Sequence, residues 1–199
     1  MNQQPEIRCG ECCIVEETRT IEGYAVVFNQ WSNYLTAKVN QNDVIFREMI
    51  LPGSLDGLIS TSDVTANFNH DEDDGILARS KNGIGTLSLV VDDYGLKYSF
   101  EAPDTTMAED IVISMRRGDI DSSSFAFMVD PKGDKWVKNK DNTYDRTISK
   151  ISNLQDIAIV VRPAYSGAVA STRSIEAIEE IELEEDLEHY YKSLKQEYV

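Results

Sequence analysis

Short runs that alternate apolar and polar residues recur through the first 170 positions: IEGYAVVF (21–28), VIFREMI (44–50), VTANFNH (64–70), GTLSLVV (85–91), GLKYSFEA (95–102), SSFAFMV (123–129) and RTISKISNLQDIAIVV (146–161). A period of two sends successive side chains to opposite faces of an extended strand, and the β-branched and aromatic content favours the same reading. So many short strands in one stretch must curl into a barrel or pair as a sandwich to bury their apolar faces. The turn residues DDYG (92–95) predict a hairpin over 85–102, and DPKGDKW (130–136) with KNKDN (138–142) mark a second, longer polar hairpin.

One helix interrupts the strands, at PDTTMAEDIVISMRRG (103–118). Thr106 and Glu109 have capping-box spacing, and Ile111 and Met115 are placed to share a buried face. Arg116 and Arg117 suit the negative end, and Gly118 suits a left-handed cap. PGSLDGLIS (52–60) predicts a second, short helix capped by Ser54. The tail, 174–199, carries nine carboxylates, with an apolar stripe at Leu183, Leu187, Tyr190 and Leu194. It reads as an acidic amphipathic helix, packed on its own domain or docking a partner. The expected organisation is a 1–19 N-terminal extension or first strand, a β-rich domain over 20–173, and the 174–199 tail.

The formal charge of −16 disfavours nucleic acid, whose phosphates would repel the chain. No apolar run approaches the roughly 20 residues that span a bilayer, and the first residues lack the pattern of a secretory signal. No membrane partner is expected, and a cytoplasmic location is. Cys9, Cys12 and Cys13 are one thiolate short of a four-cysteine zinc site and have no histidine nearby, so they read as reduced thiols on or near a first strand.

The candidates for chemistry start with IDSSSFAFMV (120–129). On a strand, Ser123, Phe125 and Phe127 face one way and Ser122, Ser124 and Ala126 the other. A hydroxyl on the second face is a nucleophile only if a base reaches it. The chain has two histidines: His189 lies in the acidic tail, whereas His70 ends a strand beside an acidic loop and shares a strand face with Phe68 and Ala66. Asp156 falls on the strand face of Leu154, Ala158 and Val160, where a carboxylate needs a partner. An imidazolium, Arg146 and Arg162 are the alternatives, and Asp71 is a weaker orienting group for His70.

The ordered set GYAVVFN, FNHD, DDYGLKYSFEAPDT, RRGDIDSSSFAF and RTISKISNLQDIAIVVRPAY resembles the prohead (capsid maturation) protease family of tailed phages, over roughly 20–173. That resemblance implies a herpesvirus-protease-like closed β-barrel flanked by helices, with the C-terminal amphipathic helix added. It maps the family's histidine to His70, its nucleophile to Ser124 and its acidic position to Asp156, with Ala126 where a glycine is usual. It implies a serine endopeptidase needing no metal or cofactor, acting in the bacterial host cytoplasm inside the assembling prohead. Its substrates would be the major capsid protein and scaffold, together with the protease itself. A catalytically inactive relative that binds scaffold is the alternative, and a homo-oligomer through a face other than the tail stays open.

Overall fold

A computed structural model describes residues 6–15, 17–39 and 42–162, together with Ile178, Ile181, Leu183 and Leu187. In chain order the elements are β1 (Glu6–Ile14), β2 (Thr20–Val27), β3 (Leu35–Val39), β4 (Asn42–Ile50), β5 (Asp63–Phe68), β6 (Ala78–Lys81), β7 (Ile84–Gly85), β8 (Ser88–Val91), β9 (Gly95–Glu101), α1 (Thr106–Arg116), β10 (Ser122–Val129), β11 (Asp134–Lys138), β12 (Tyr144–Ile148) and β13 (Ile151–Val160). A nine-stranded sheet runs β7-β6-β5-β13-β10-β1-β2-β9-β8, and a four-stranded sheet runs β11-β12-β4-β3. The expected hairpins at 85–102 and 130–142 form as β8–β9 and β11–β12. The run 146–161 splits into β12 and β13, in different sheets.

The expected closed barrel is not what forms. β7 and β8 are the two edges of the large sheet and do not pair with each other. Only Thr86 and Leu87 lie between them in sequence, so three Cα steps of about 3.8 Å hold the edges near each other. The sheet therefore curls around its core without a closing ladder. β7 is two residues long, and the Leu87 N–H returns to the Arg79 carbonyl on the β6 side rather than crossing to β8. Leu87 is buried in the main core.

α1 lays Ala108, Ile111, Val112 and Met115 against that core. Its cap is Thr105, not Thr106: the Thr105 side chain accepts from the Ala108 N–H at 3.3 Å. Glu109 then sits past the capping-box position and pairs with Arg19 instead. Gly118, at φ +77, ends the helix as expected, with Gly118 N–H to Met115 O and Asp119 N–H to Ser114 O, the paired bonds of a Schellman motif. The short helix expected at 52–60 is a chain of turns. Gly53 (φ +84) and Gly57 (φ +72) leave the right-handed region, and isolated bonds such as Asp56 N–H to Gly53 O and Leu58 N–H to Leu55 O replace a continuous helix.

Leu35, Ala37, Val44, Phe46, Trp136 and Tyr144 form a second core on the small sheet. Ile178 is buried in it and Ile181 packs against it, both with helical backbone. Leu183 and Leu187, also helical, are exposed. Tyr190, Leu194, His189 and the remainder of the expected tail helix lie outside the described residues.

A buried ionic cluster ties the two sheets together. Arg8 of β1 engages Glu48 of β4 through both guanidinium branches and reaches Glu6 at 3.0 Å. Arg146 of β12 binds Glu6 and Glu48, and Asp134 of β11 at 2.8 Å. Arg146, a rival partner for Asp156, is thus spent elsewhere. Charges buried this deeply are tolerable only when each is paired, and removing one partner strands the others. Burial pushes the Glu48 carboxyl up, Arg8 pulls it down, and the balance lies below the ordinary value of 4.5. A depressed value stabilises the fold above the unfolded pKa, and that contribution is lost as pH falls through the folded value. Glu48→Gln is therefore expected to lower urea-unfolding stability near neutral pH by about 3–5 kcal/mol. The gap to wild type should narrow once the pH falls below 4.5.

Candidate functional site

β10 lies between β13 and β1 in the middle of the large sheet. Phe125 and Phe127 face the core with rings 5.1 Å apart, as the alternation predicts. Ser123 shares that face, fully buried. Ser122 donates to Asp121 at 2.8 Å. Ser124 is on the other face, only 2% exposed, and its hydroxyl donates to the Arg8 carbonyl at 2.7 Å.

Asp156 reaches that same face through a break in β13. β10 and β13 pair Phe125 with Ile157, Ala126 with Asp156, and then Phe127 with Leu154, so Gln155 has no opposite number. This bulge reverses the alternation. Leu154 turns into the core beside Phe127, and Asp156 turns to the opposite face beside Ala126. The expectation that Asp156 and Leu154 share a face fails for this reason.

His70 is placed by a second break. Period two would keep it with Ala66 and Phe68, as expected from sequence, but β5 stops at Phe68. Asn69 (φ +54) and His70 (φ +60) are both left-handed, and the Asp71 N–H closes onto the Phe68 carbonyl at 3.0 Å. Two positive φ angles with this closure mark a type I′ turn. The turn carries the imidazole to the Asp156 side, where His70 Nδ1 lies 2.7 Å from Asp156 Oδ1. Asn69 anchors the turn: its N–H donates to Ile159 O at 2.9 Å, and its side chain accepts from Val161 N–H at 3.2 Å.

The carboxylate accepts, so in the neutral imidazole Nδ1 carries the proton and Nε2 holds the lone pair. His70 Nε2 is buried and has no hydrogen-bond partner. Ser124 is in register with Ala158, two residues from Asp156 on the neighbouring strand. Such diagonal neighbours stand about 7–8 Å apart, a gap an imidazole can bridge. Thus a hydroxyl, an imidazole and a carboxylate lie on one sheet face, with the base oriented and its accepting nitrogen open. The hydroxyl's own proton points to Arg8 rather than to that nitrogen.

The other candidates go elsewhere. Asp71 accepts from the Asp73 N–H at 2.9 Å, and Arg162 is exposed. Burial pushes the Cys12 thiol up to about 12, leaving it a poor nucleophile. Cys13 is exposed, and the Cys9 side chain lies outside the described residues. Sequence reasoning missed Asn67, a buried amide on the same face whose Oδ1 and Nδ2 both lack partners. The signal was present, because Asn67 lies an even number of positions before Asn69 in a run whose alternate residues are apolar. A cleft of about 950 Å³ where β1 and β2 diverge touches β10 at Ser122 and Phe125, and is not lined by Ser124, His70 or Asp156.

Replacing Asn69 with valine should cost about 1–2 kcal/mol from the left-handed backbone alone, measured by urea unfolding.

A family model described as the caudovirus prohead serine protease matches residues 7–181. No curated protein and no solved structure gives a match.

Proposed function

We propose, from the premise that this chain belongs to the caudovirus prohead serine protease family, that Ser124 is its nucleophile, His70 its general base and Asp156 the group that orients the base. Membership makes the chain a serine peptidase, a hydrolase, tied to maturation of the phage capsid. The observation that carries the residue assignment is the His70–Asp156 hydrogen bond, which leaves Nε2 unpartnered on the sheet face that holds Ser124.

In the first step the Ser124 hydroxyl turns from the Arg8 carbonyl toward His70. Its oxygen attacks the scissile carbonyl as Nε2 takes the proton. The imidazolium keeps its Nδ1–H on the Asp156 carboxylate, which holds the tautomer and offsets the new charge. Collapse of the tetrahedral intermediate breaks the C–N bond as Nε2 returns the proton to the leaving amine. Water then enters and His70 takes its proton as the water oxygen attacks the acyl carbon; the C–Oγ bond breaks, Nε2 returns the proton to Ser124 Oγ, and the carboxylic acid leaves.

The substrates in this reading are the major capsid protein and scaffold segments, cut inside the assembling prohead in the host cytoplasm. Self-cleavage would release the acidic tail. Among the described residues no helix is long and apolar enough to cross a membrane.

Incubation with the cognate capsid and scaffold proteins tests the assignment. Ser124→Ala and His70→Ala are expected to lower turnover by roughly 10⁶-fold and Asp156→Asn by roughly 10⁴-fold, with the fold retained. A fluorophosphonate probe should label wild type at Ser124. Full cleavage by Ser124→Ala, or labelling at another serine, would contradict the assignment.

A further inference from the structure

We propose that the side-chain amide of Asn67 binds the carbonyl oxygen of the scissile bond and stabilises the oxyanion formed when Ser124 attacks. This inference rests on Ser124 being the nucleophile. Ser124 of β10 is in register with Ala158 of β13, and Ala158 is in register with Asn67 of β5. The three side chains therefore form one row across the sheet, on the face that also holds Asp156.

The middle member of the row is a methyl group. Strands lie about 4.8 Å apart, so Ser124 and Asn67 are separated by about 10 Å at the backbone, with the Ala158 methyl between them; the Ser124 hydroxyl, now on the Arg8 carbonyl of β1, must turn toward β13 to face the amide. With the hydroxyl so turned, side chains of these lengths would leave roughly 6 Å between Oγ and Nδ2. A forming O–C bond, a C–O bond and a donor distance of about 2.9 Å span that gap.

Asn67 is 0% exposed, and neither Oδ1 nor Nδ2 has a hydrogen-bond partner. A buried amide left open in this way lowers stability, and such groups call for an explanation beyond packing. The next polar side chain on the same face of β5 is not open: Thr65 donates to Glu72 Oε1 at 2.5 Å. Among the described residues, the buried unpartnered groups on this face include the amide of Asn67 and Nε2 of His70. Nucleophilic attack needs these two capacities, a donor for the oxygen and an acceptor for the proton. A neutral amide supplies the first without adding a charge beside the base.

The test is acylation of the full chain by p-nitrophenyl acetate, read as the burst of nitrophenolate, with urea unfolding in parallel. Wild type, Ser124→Ala, Asn67→Leu and Asn67→Asp are compared. Asn67→Leu, close in size and without a donor, should lower the acylation rate by about 10²–10³-fold. It should leave the half-saturating ester concentration within a few-fold and raise the urea midpoint. If the leucine variant fails to fold, Asn67→Asp decides: it keeps the shape, replaces the donor with an acceptor, and should fall at least as far. A wild-type burst that persists within threefold in the folded Asn67 variants would overturn the role of Asn67 and leave that of Ser124 standing. A wild-type burst that Ser124→Ala retains would overturn both.

Discussion

The hydrogen bond between His70 Nδ1 and Asp156 Oδ1 is made between two side chains that alternation counted from Phe68 and from Leu154 would have pointed into the core. Each lies on the opposite face from the residue two positions before it, because of a local irregularity. For Asp156 it is the unpaired Gln155; for His70 it is a turn with two left-handed residues. Either irregularity alone would leave one group facing apolar side chains and the other unpaired. A buried carboxylate or imidazole without a partner is costly enough that the two irregularities must coexist. Bulges and left-handed non-glycine residues recur beside active sites because they re-aim side chains that the pleat would misdirect.

The site also depends on the charge cluster between the sheets. Arg8 takes part in both: its guanidinium binds Glu48 and Glu6, and its carbonyl accepts the Ser124 hydroxyl. β1 therefore carries both contacts. It is a central strand whose buried cation locks the small sheet to the large one, and whose backbone holds the serine in its present rotamer. The four-stranded sheet carries no member of the His70, Ser124 and Asp156 set, yet through Glu48 it helps fix the strand on which the hydroxyl rests.

Much of this could be read from the residues. The alternation in SSSFAF assigned Ser123 to the core and Ser124 to the opposite face, because β10 is regular from Ser122 to Ala126. The main strands and the helix followed from periodicity and capping chemistry. What escaped was set by tertiary pairing. A bulge at Gln155 has no mark in LQDIA, since glutamine fits any strand position; it exists only against β10. Asn69 tolerates a left-handed backbone, but asparagine also occurs in ordinary strand ends, so FNHD alone could not show the reversal. Closure of the sheet failed to follow from strand number because it turns on how two residues, Thr86 and Leu87, join the edges. The helix cap slipped by one residue because Thr105 and Thr106 offer the same hydroxyl.

The proton on His70 tests the centre of this account most directly. Long-range ¹H–¹⁵N spectra, recorded at a pH where the ring is neutral, distinguish the two tautomers, and a His189→Gln background isolates the signal of His70. The structure predicts an Nδ1-protonated ring with a downfield Nδ1–H resonance that Asp156→Asn shifts or abolishes, and an Nε2 that bears no proton. An Nε2-protonated ring, or a spectrum indifferent to Asp156, would contradict it.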